Sequence, residues 1–293
     1  MKLKEVLSSD QDWSVNFVFD NMVEARFVRR TKEYFIVYLS SHTGCNKACR
    51  FCHLTQTGQT SFDHVTIDEY LQQAKEVLSY YKDFAMKSQG TAEKVNFNFM
   101  ARGEPLSNIY LRDNAKFLIN ELDKMAKELN LETNFNISSI MPTELREKPL
   151  VEIFQDIPQI YSIYYSLYSV DEGFRKRWLP KSLSVDESLK QIKDWHENTG
   201  KMLALHWAFI EGENDKECQM NSIIEKVREY DLNPKFNLVR YNPYSENQGV
   251  ESSEEVLNRN FNILQNAFNH PHSRIVPRVG FDVKASCGMF VSQ

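Results

Sequence analysis

The strongest constraint on how this chain can fold is an alternation. Six runs of strand length, each ending in a polar or glycine-containing loop, are separated by segments with helical periodicity. The strand-like runs are Tyr34–Leu39, 95–100, 133–137, Ile160–Ser166, 203–210 and 236–241. Between the first two, Ile67, Leu71, Ala74, Leu78 and Tyr81 recur at steps of four and three, behind Thr66 and Asp68 as a helix start. Helices are also predicted over 112–129, 185–198 and 222–230, and a last one is marked by Leu257, Phe261, Leu264 and Phe268. Strands alternating with helices pair in parallel through right-handed crossovers. The expected fold is therefore α/β: a parallel sheet curled into a partial (β/α)6 barrel, whose functional groups sit on loops at the carboxyl ends of the strands.

Ahead of the first of these strands, Val15–Phe19 and Glu24–Val28, separated by Asp20 and Asn21, read as a small hairpin. Residues 1–33 are accordingly expected to form a short extension, and residues 34–293 the barrel domain with a carboxyl-terminal tail. A chain of 293 residues, 42% hydrophobic and 26% charged, has enough apolar mass for one large core. Its start lacks a basic segment followed by an apolar one, and no window approaches eighteen uninterrupted apolar residues, so the expected location is the cytoplasm, with no membrane partner. The net charge of -5 and pI near 5.9 give no global basic footprint. Contact with nucleic acid would have to be local, through Arg26, Arg29, Arg30 and Lys32 or through Arg175, Lys176, Arg177 and Lys181. Each cluster reads equally well as a solvated face.

The loop after the first strand carries three of the five cysteines, Cys45, Cys49 and Cys52, spaced C-x3-C-x2-C. Zinc sites usually take four ligands, and no second ligand pair stands at a suitable distance. Three thiolates at this spacing suit three corners of a four-iron cluster, leaving the fourth iron open.

That spacing, with Phe51 before the last cysteine, resembles the signature of the radical SAM superfamily. The resemblance implies that Cys45, Cys49 and Cys52 hold a [4Fe-4S] cluster and that the open iron binds S-adenosylmethionine. An external electron donor such as flavodoxin or ferredoxin would reduce the cluster.

The loop ends narrow the resemblance to the RlmN/Cfr branch, which methylates an aromatic carbon of adenine in ribosomal and transfer RNA. Gly103-Glu104-Pro105 follows the second strand, where that family meets the amino group of S-adenosylmethionine. Ser138 follows the third strand, Ser166-Leu167-Tyr168 replaces a Ser-Leu-His after the fourth, and Asn242-Pro243-Tyr244 matches an Asn-Pro-Phe after the sixth. Together with Phe51, these positions imply a cofactor site of Phe51, Gly103, Glu104, Ser138, Ser166, Tyr168 and Asn242. Ser286-Cys287-Gly288 in the tail resembles the family's Ala-Cys-Gly, which implies that Cys287 carries the methyl group covalently. Glu24, in Val23-Glu24-Ala25, matches a glutamate that acts there as proton acceptor. It reads equally as a salt-bridge partner for the nearby arginines.

Two departures stand out. The family resolves its protein-bound adduct with a second cysteine seven residues before the cluster, and here that position is Tyr38. Cys218, the only other thiol, falls early in a predicted helix and reads as a bystander. The family also carries a helical RNA-binding domain ahead of the segment containing Glu24, where only about fifteen residues stand in this chain. The implied substrate is a nucleobase, in RNA rather than DNA. The competing expectations are a radical SAM enzyme that abstracts hydrogen directly from its substrate, without a cysteine carrier, and a non-catalytic iron-sulfur sensor.

Overall fold

In the computed structural model, which describes residues 1–292, ten strands form one sheet in chain order. They are β1 (Leu3–Ser8), β2 (Val15–Phe19), β3 (Glu24–Val28), β4 (Tyr34–Leu39), β5 (Lys94–Phe99), β6 (Glu132–Ser139), β7 (Ile160–Ser166), β8 (Met202–Trp207), β9 (Lys235–Leu238) and β10 (Arg274–Ile275). Pairing is antiparallel from β1 to β4 and parallel from β4 to β10. The helices are α1 (His53–Gln56), α2 (Ile67–Tyr80), α3 (Met86–Gln89), α4 (Ile109–Lys127), α5 (Leu150–Phe154), α6 (Glu172–Trp178), α7 (Val185–Thr199), α8 (Glu217–Glu229) and α9 (Glu254–Phe268).

Period-two alternation makes this an open barrel with two unlike faces. On β5, Val95, Phe97 and Phe99 are fully buried, while Asn96, Asn98 and the following Met100 line the opposite, concave side. The apolar set packs under the helices: Phe97 stacks on Phe135 of β6 at 5.1 Å, and Leu118 and Leu122 of α4 are fully buried. Burying each such side chain contributes about 1.5–3 kcal/mol. The polar set lines a lumen, since side chains from β4 to β10 surround one cavity. Helix ends are fixed locally. Thr66 and Glu69 form a capping box at the start of α2, Ser184 and Glu187 do the same for α7, and Gly200 ends α7 in a left-handed conformation.

The partial barrel and the hairpin are both present. The sequence reading left out β1, whose residues are almost all exposed, the two-residue β10, and the short helices α1, α3, α5 and α6. The two basic clusters need correction. Arg26, Arg29 and Arg175 are buried and hold backbone carbonyls, Arg29 those of Thr31, Lys32 and Gly90, and Arg175 those of Leu167 and Leu183. Arg177 pairs with Glu213, so neither cluster is the free basic patch that its run of charges suggests.

Candidate active site

The loop after β4 brings its three cysteines to the carboxyl end of the sheet. Gly44 permits the turn, because a Cβ there would lie 2.1 Å from the carbonyl oxygen of Ser61. The loop is then pinned from several sides. Cys45 N donates to Gln59 O at 3.0 Å, Arg50 N to Trp178 O at 3.0 Å, and Gln248 Nε2 to Arg50 O at 2.9 Å. Cys45, Cys49 and Cys52 all line a cavity of about 680 Å³, open to solvent on one side, shared with Phe51, Gly103, Glu104, Ser138, Ser166, Tyr168 and Cys287. Of the residues singled out in the sequence for the cofactor and the chemistry, the fold thus collects all in one cavity except Asn242 and Glu24.

Gly103 ends the turn after β5 with φ +91°, and a Cβ there would meet His42 Nδ1 and Ser41 Oγ at 2.5 Å. The next residue, Glu104, is buried. Its Oε1 accepts from Leu106 N at 3.1 Å and Ser139 Oγ at 2.7 Å, and its Oε2 from Ile140 N at 3.1 Å. Among the described residues no cation pairs with it, because Lys47, the nearby candidate, is joined to Glu144. Burial therefore pushes the Glu104 carboxyl up to about 7 despite its three donors. A carboxylate held open in a cavity without a counter-ion fits an ammonium group.

Because the folded protein then holds a proton that the unfolded chain releases near its ordinary 4.5, stability falls as pH rises from about 4.5 to about 7. In metal-free protein the slope is worth roughly 3 kcal/mol across that window. Glu104→Gln is expected to flatten it in urea unfolding measured as a function of pH.

Phe51 stacks on Tyr168 with ring centroids 4.3 Å apart and planes 9° from parallel. Tyr168 takes a left-handed backbone (φ +56°), so the position matched to the family's histidine forms a wall of the cavity. Ser166 Oγ instead meets the imidazole of His206, whose Nε2 lies 2.8 Å away on the neighbouring strand β8. His206 and Ser139 were not found from the sequence. A polar residue at the end of an otherwise apolar strand was the available signal for His206, and the second serine of the Ser138-Ser139 pair was the signal for the other.

The tail crosses the mouth of the barrel as a strap. Asn16 Nδ2 donates to Val283 O at 3.0 Å, and Asn242 Nδ2 to Cys287 O at 2.9 Å. His53 N donates to Gly288 O at 3.0 Å, Arg26 Nη2 to Met289 O at 2.6 Å, and Arg102 Nη2 to Val291 O at 2.9 Å. Phe290 lies beneath both guanidinium groups, 5.0 Å from Arg26 and 5.6 Å from Arg102. This strap presents Cys287 to the cavity, where desolvation pushes its thiol up from the ordinary value against the opposing field of Arg26. Asn242 lines an adjoining cavity with Cys287 and Tyr38, and its Oδ1 is buried without a partner.

Glu24 lies outside these cavities, fully buried beneath the strap. Its Oε1 accepts from Arg102 Nη2 at 2.7 Å and Val291 N at 3.0 Å, and its Oε2 from Asn16 Nδ2 at 2.9 Å and Arg26 Nη2 at 3.1 Å. Four donors occupy both oxygens, so no lone pair is left to receive a substrate proton. The salt-bridge reading of Glu24 is the one its geometry favours. Cys218 is exposed on α8, away from the cavity residues.

The donor set fits a cluster: Cys45, Cys49 and Cys52 line one cavity, and a four-iron cluster takes each thiolate on a different iron. Burial pushes Cys45 up to about 12, Cys52 up to about 11 and Cys49 well above its ordinary value, so the thiols stay protonated until a metal displaces the protons. No helix among the described residues is long and apolar enough to cross a membrane.

The fold has known counterparts. A crystal structure of a radical SAM methyltransferase from Sphaerobacter thermophilus superposes with a TM-score of 0.76 over 98% of this chain and 80% of that one, at 19% identity. The hydrogenase maturase HydG superposes at 0.55 over 83% of this chain and 52% of that one, at 12% identity. In sequence, the chain is similar to dual-specificity RNA methyltransferases named RlmN. It is 25% identical over 286 residues to a probable RlmN 2 of Opitutus terrae, covering 85% of this chain and 62% of that protein. It is 26% identical over 257 residues to a probable RlmN of Lachnospira eligens, covering 86% and 66%, and 24% identical over 301 residues to RlmN of Ruthia magnifica, covering 100% and 77%. The chain thus spans a little under two thirds of the first two relatives. No family model matches it.

Proposed function

We propose that this protein is a radical SAM enzyme that methylates a carbon centre of a nucleobase, adenine, in RNA, using Cys287 as covalent carrier. One observation carries the reading: Cys287, brought from the far end of the chain, opens into the same cavity as Cys45, Cys49 and Cys52. Those three thiolates would hold the [4Fe-4S] cluster. S-adenosylmethionine would lie along Phe51, Gly103, Glu104, Ser138, Ser166, Tyr168 and Asn242. When bound, the pair supplies a methyl group and, after one-electron reduction by an external donor such as flavodoxin or ferredoxin, a 5′-deoxyadenosyl radical.

The chain's own residues do the rest. Glu104 receives the cofactor's ammonium group, the Phe51–Tyr168 stack closes one side of the cavity, and Asn242 fixes the carbonyl of Cys287. The Cys287 thiol must lose its proton before it can act as nucleophile, a change that the neighbouring Arg26 favours.

The test is the mass of the Cys287 peptide from protein made in iron-replete cells. A methyl increment is expected there and not on Cys218. An unmodified thiol with the cluster intact contradicts the carrier role. It would favour direct hydrogen abstraction, the reading to which Tyr38 inclines, since a phenol lining the cavity beside Cys287 cannot form a resolving disulfide.

A further inference from the structure

Replacing hydrogen by methyl on an aromatic carbon requires the ring proton to leave, and so requires a base beside the reacting carbon. Glu24 cannot serve, with four donors on its two oxygens. Glu104 shares the cofactor cavity with Cys287 and His206 but does not line the lumen cavity surrounded by β4 to β10. Met100, Ser138 and His206 line both, and of these only His206 carries a basic nitrogen.

The surroundings of His206 suit the task. Its Nε2 lies 2.8 Å from Ser166 Oγ, and Nδ1 has no hydrogen-bond partner among the described residues. Ser166 Oγ has no other partner among them and can accept an Nε2–H, which leaves the Nδ1 lone pair free. Desolvation separately holds the imidazole down to about 4, so the ring is neutral at neutral pH.

Resting on the functional reading above, we propose that His206 is the general base of the reaction, taking the ring proton on Nδ1 while Ser166 holds Nε2. Once the Cys287-bound methyl group has lost a hydrogen atom to the deoxyadenosyl radical, and the methylene radical so formed has added to the ring carbon, that carbon is tetrahedral and still bears its hydrogen. Its C–H bond breaks heterolytically and an N–H bond forms on His206. The bonding pair returns to the ring, whose neutral radical becomes a radical anion beside an imidazolium. The sulfur–carbon bond of that radical anion then breaks: the methylene carbon keeps the pair and takes the proton back from His206 as methyl, and the Cys287 thiyl radical is reduced by one electron from the external donor. Until the proton first leaves, substrate and Cys287 stay joined.

The test uses holoenzyme with its cluster assembled, the cofactor, a reductant, and ribosomal and transfer RNA from cells lacking the protein. In His206→Gln, which keeps a hydrogen-bonding side chain but no base, methylated product is expected to fall at least about 100-fold. Deoxyadenosine should still form, and RNA should accumulate on the Cys287 peptide. In His206→Ala, added imidazole should restore at least part of the product. Product at the wild-type level in His206→Gln overturns the assignment. So does product loss with neither a Cys287–RNA adduct nor rescue by imidazole, because a structural role would behave that way. Wild-type protein run alongside separates the two claims: if it never modifies Cys287, the carrier reading falls and this inference with it.

Discussion

Glu24→Ala is expected to destabilise the protein by about 3–5 kcal/mol, the usual cost of leaving buried charges without their partner. Arg26 and Arg102 would both lose their counter-ion at 3% and 0% side-chain exposure, and Val291 N would lose its acceptor. The same change should release the strap, since the two arginines and Val291 hold residues 286–291 over the cavity. Urea unfolding gives the stability. Hydrogen exchange on the 283–291 peptide, protected in wild type and open in the variant, gives the strap. A glutamate acting only as a proton acceptor would leave both unchanged when replaced. Glu24→Gln, which keeps one acceptor oxygen, should fall between.

The second large effect is on metal. Replacing any one of Cys45, Cys49 or Cys52 by alanine is expected to reduce iron bound after anaerobic assembly from about four per chain to near none, because the cluster would have three protein ligands and two do not hold it. Cys287 lines the same cavity yet arrives on a separate strap, so Cys287→Ala should keep its iron and lose only product. Cys218→Ala, altered on the outer face of α8, should change neither. Iron analysis and visible absorbance of the five variants separate ligand, carrier and bystander in one series. Equal iron in Cys49→Ala and wild type would contradict the ligand assignment.

Strand ends were legible in the sequence because period-two alternation and the loop residues after it are local signals. Tyr34–Leu39 and Ile160–Ser166 are predicted to the residue for that reason. Elements without a local signal were not legible. β1 buries almost nothing, so no hydrophobic period marks it. α5 and α6 are five and seven residues long, too short for a 3.6-residue period to repeat convincingly.

The site divides the same way. Cys45, Cys49, Cys52 and Glu104 stand out through spacing. Two of the four partners of Glu24, Arg102 and Val291, lie 78 and 267 positions away, and no local pattern joins them. Arg26, Arg29 and Arg175 read as surface charge because they neighbour other cations in sequence. The fold turns each inward to carry backbone carbonyls that would otherwise be buried without donors. The His206–Ser166 contact joins adjacent strands 40 residues apart and becomes visible only when β7 and β8 are in register.

The most direct test of the central claim is made on wild-type protein assembled anaerobically, reduced and given S-adenosylmethionine. The account predicts iron and sulfide bound by the three loop cysteines, together with 5′-deoxyadenosine that requires both reductant and cofactor. Zinc or no metal at that loop, or a full complement of iron with no deoxyadenosine, would contradict it.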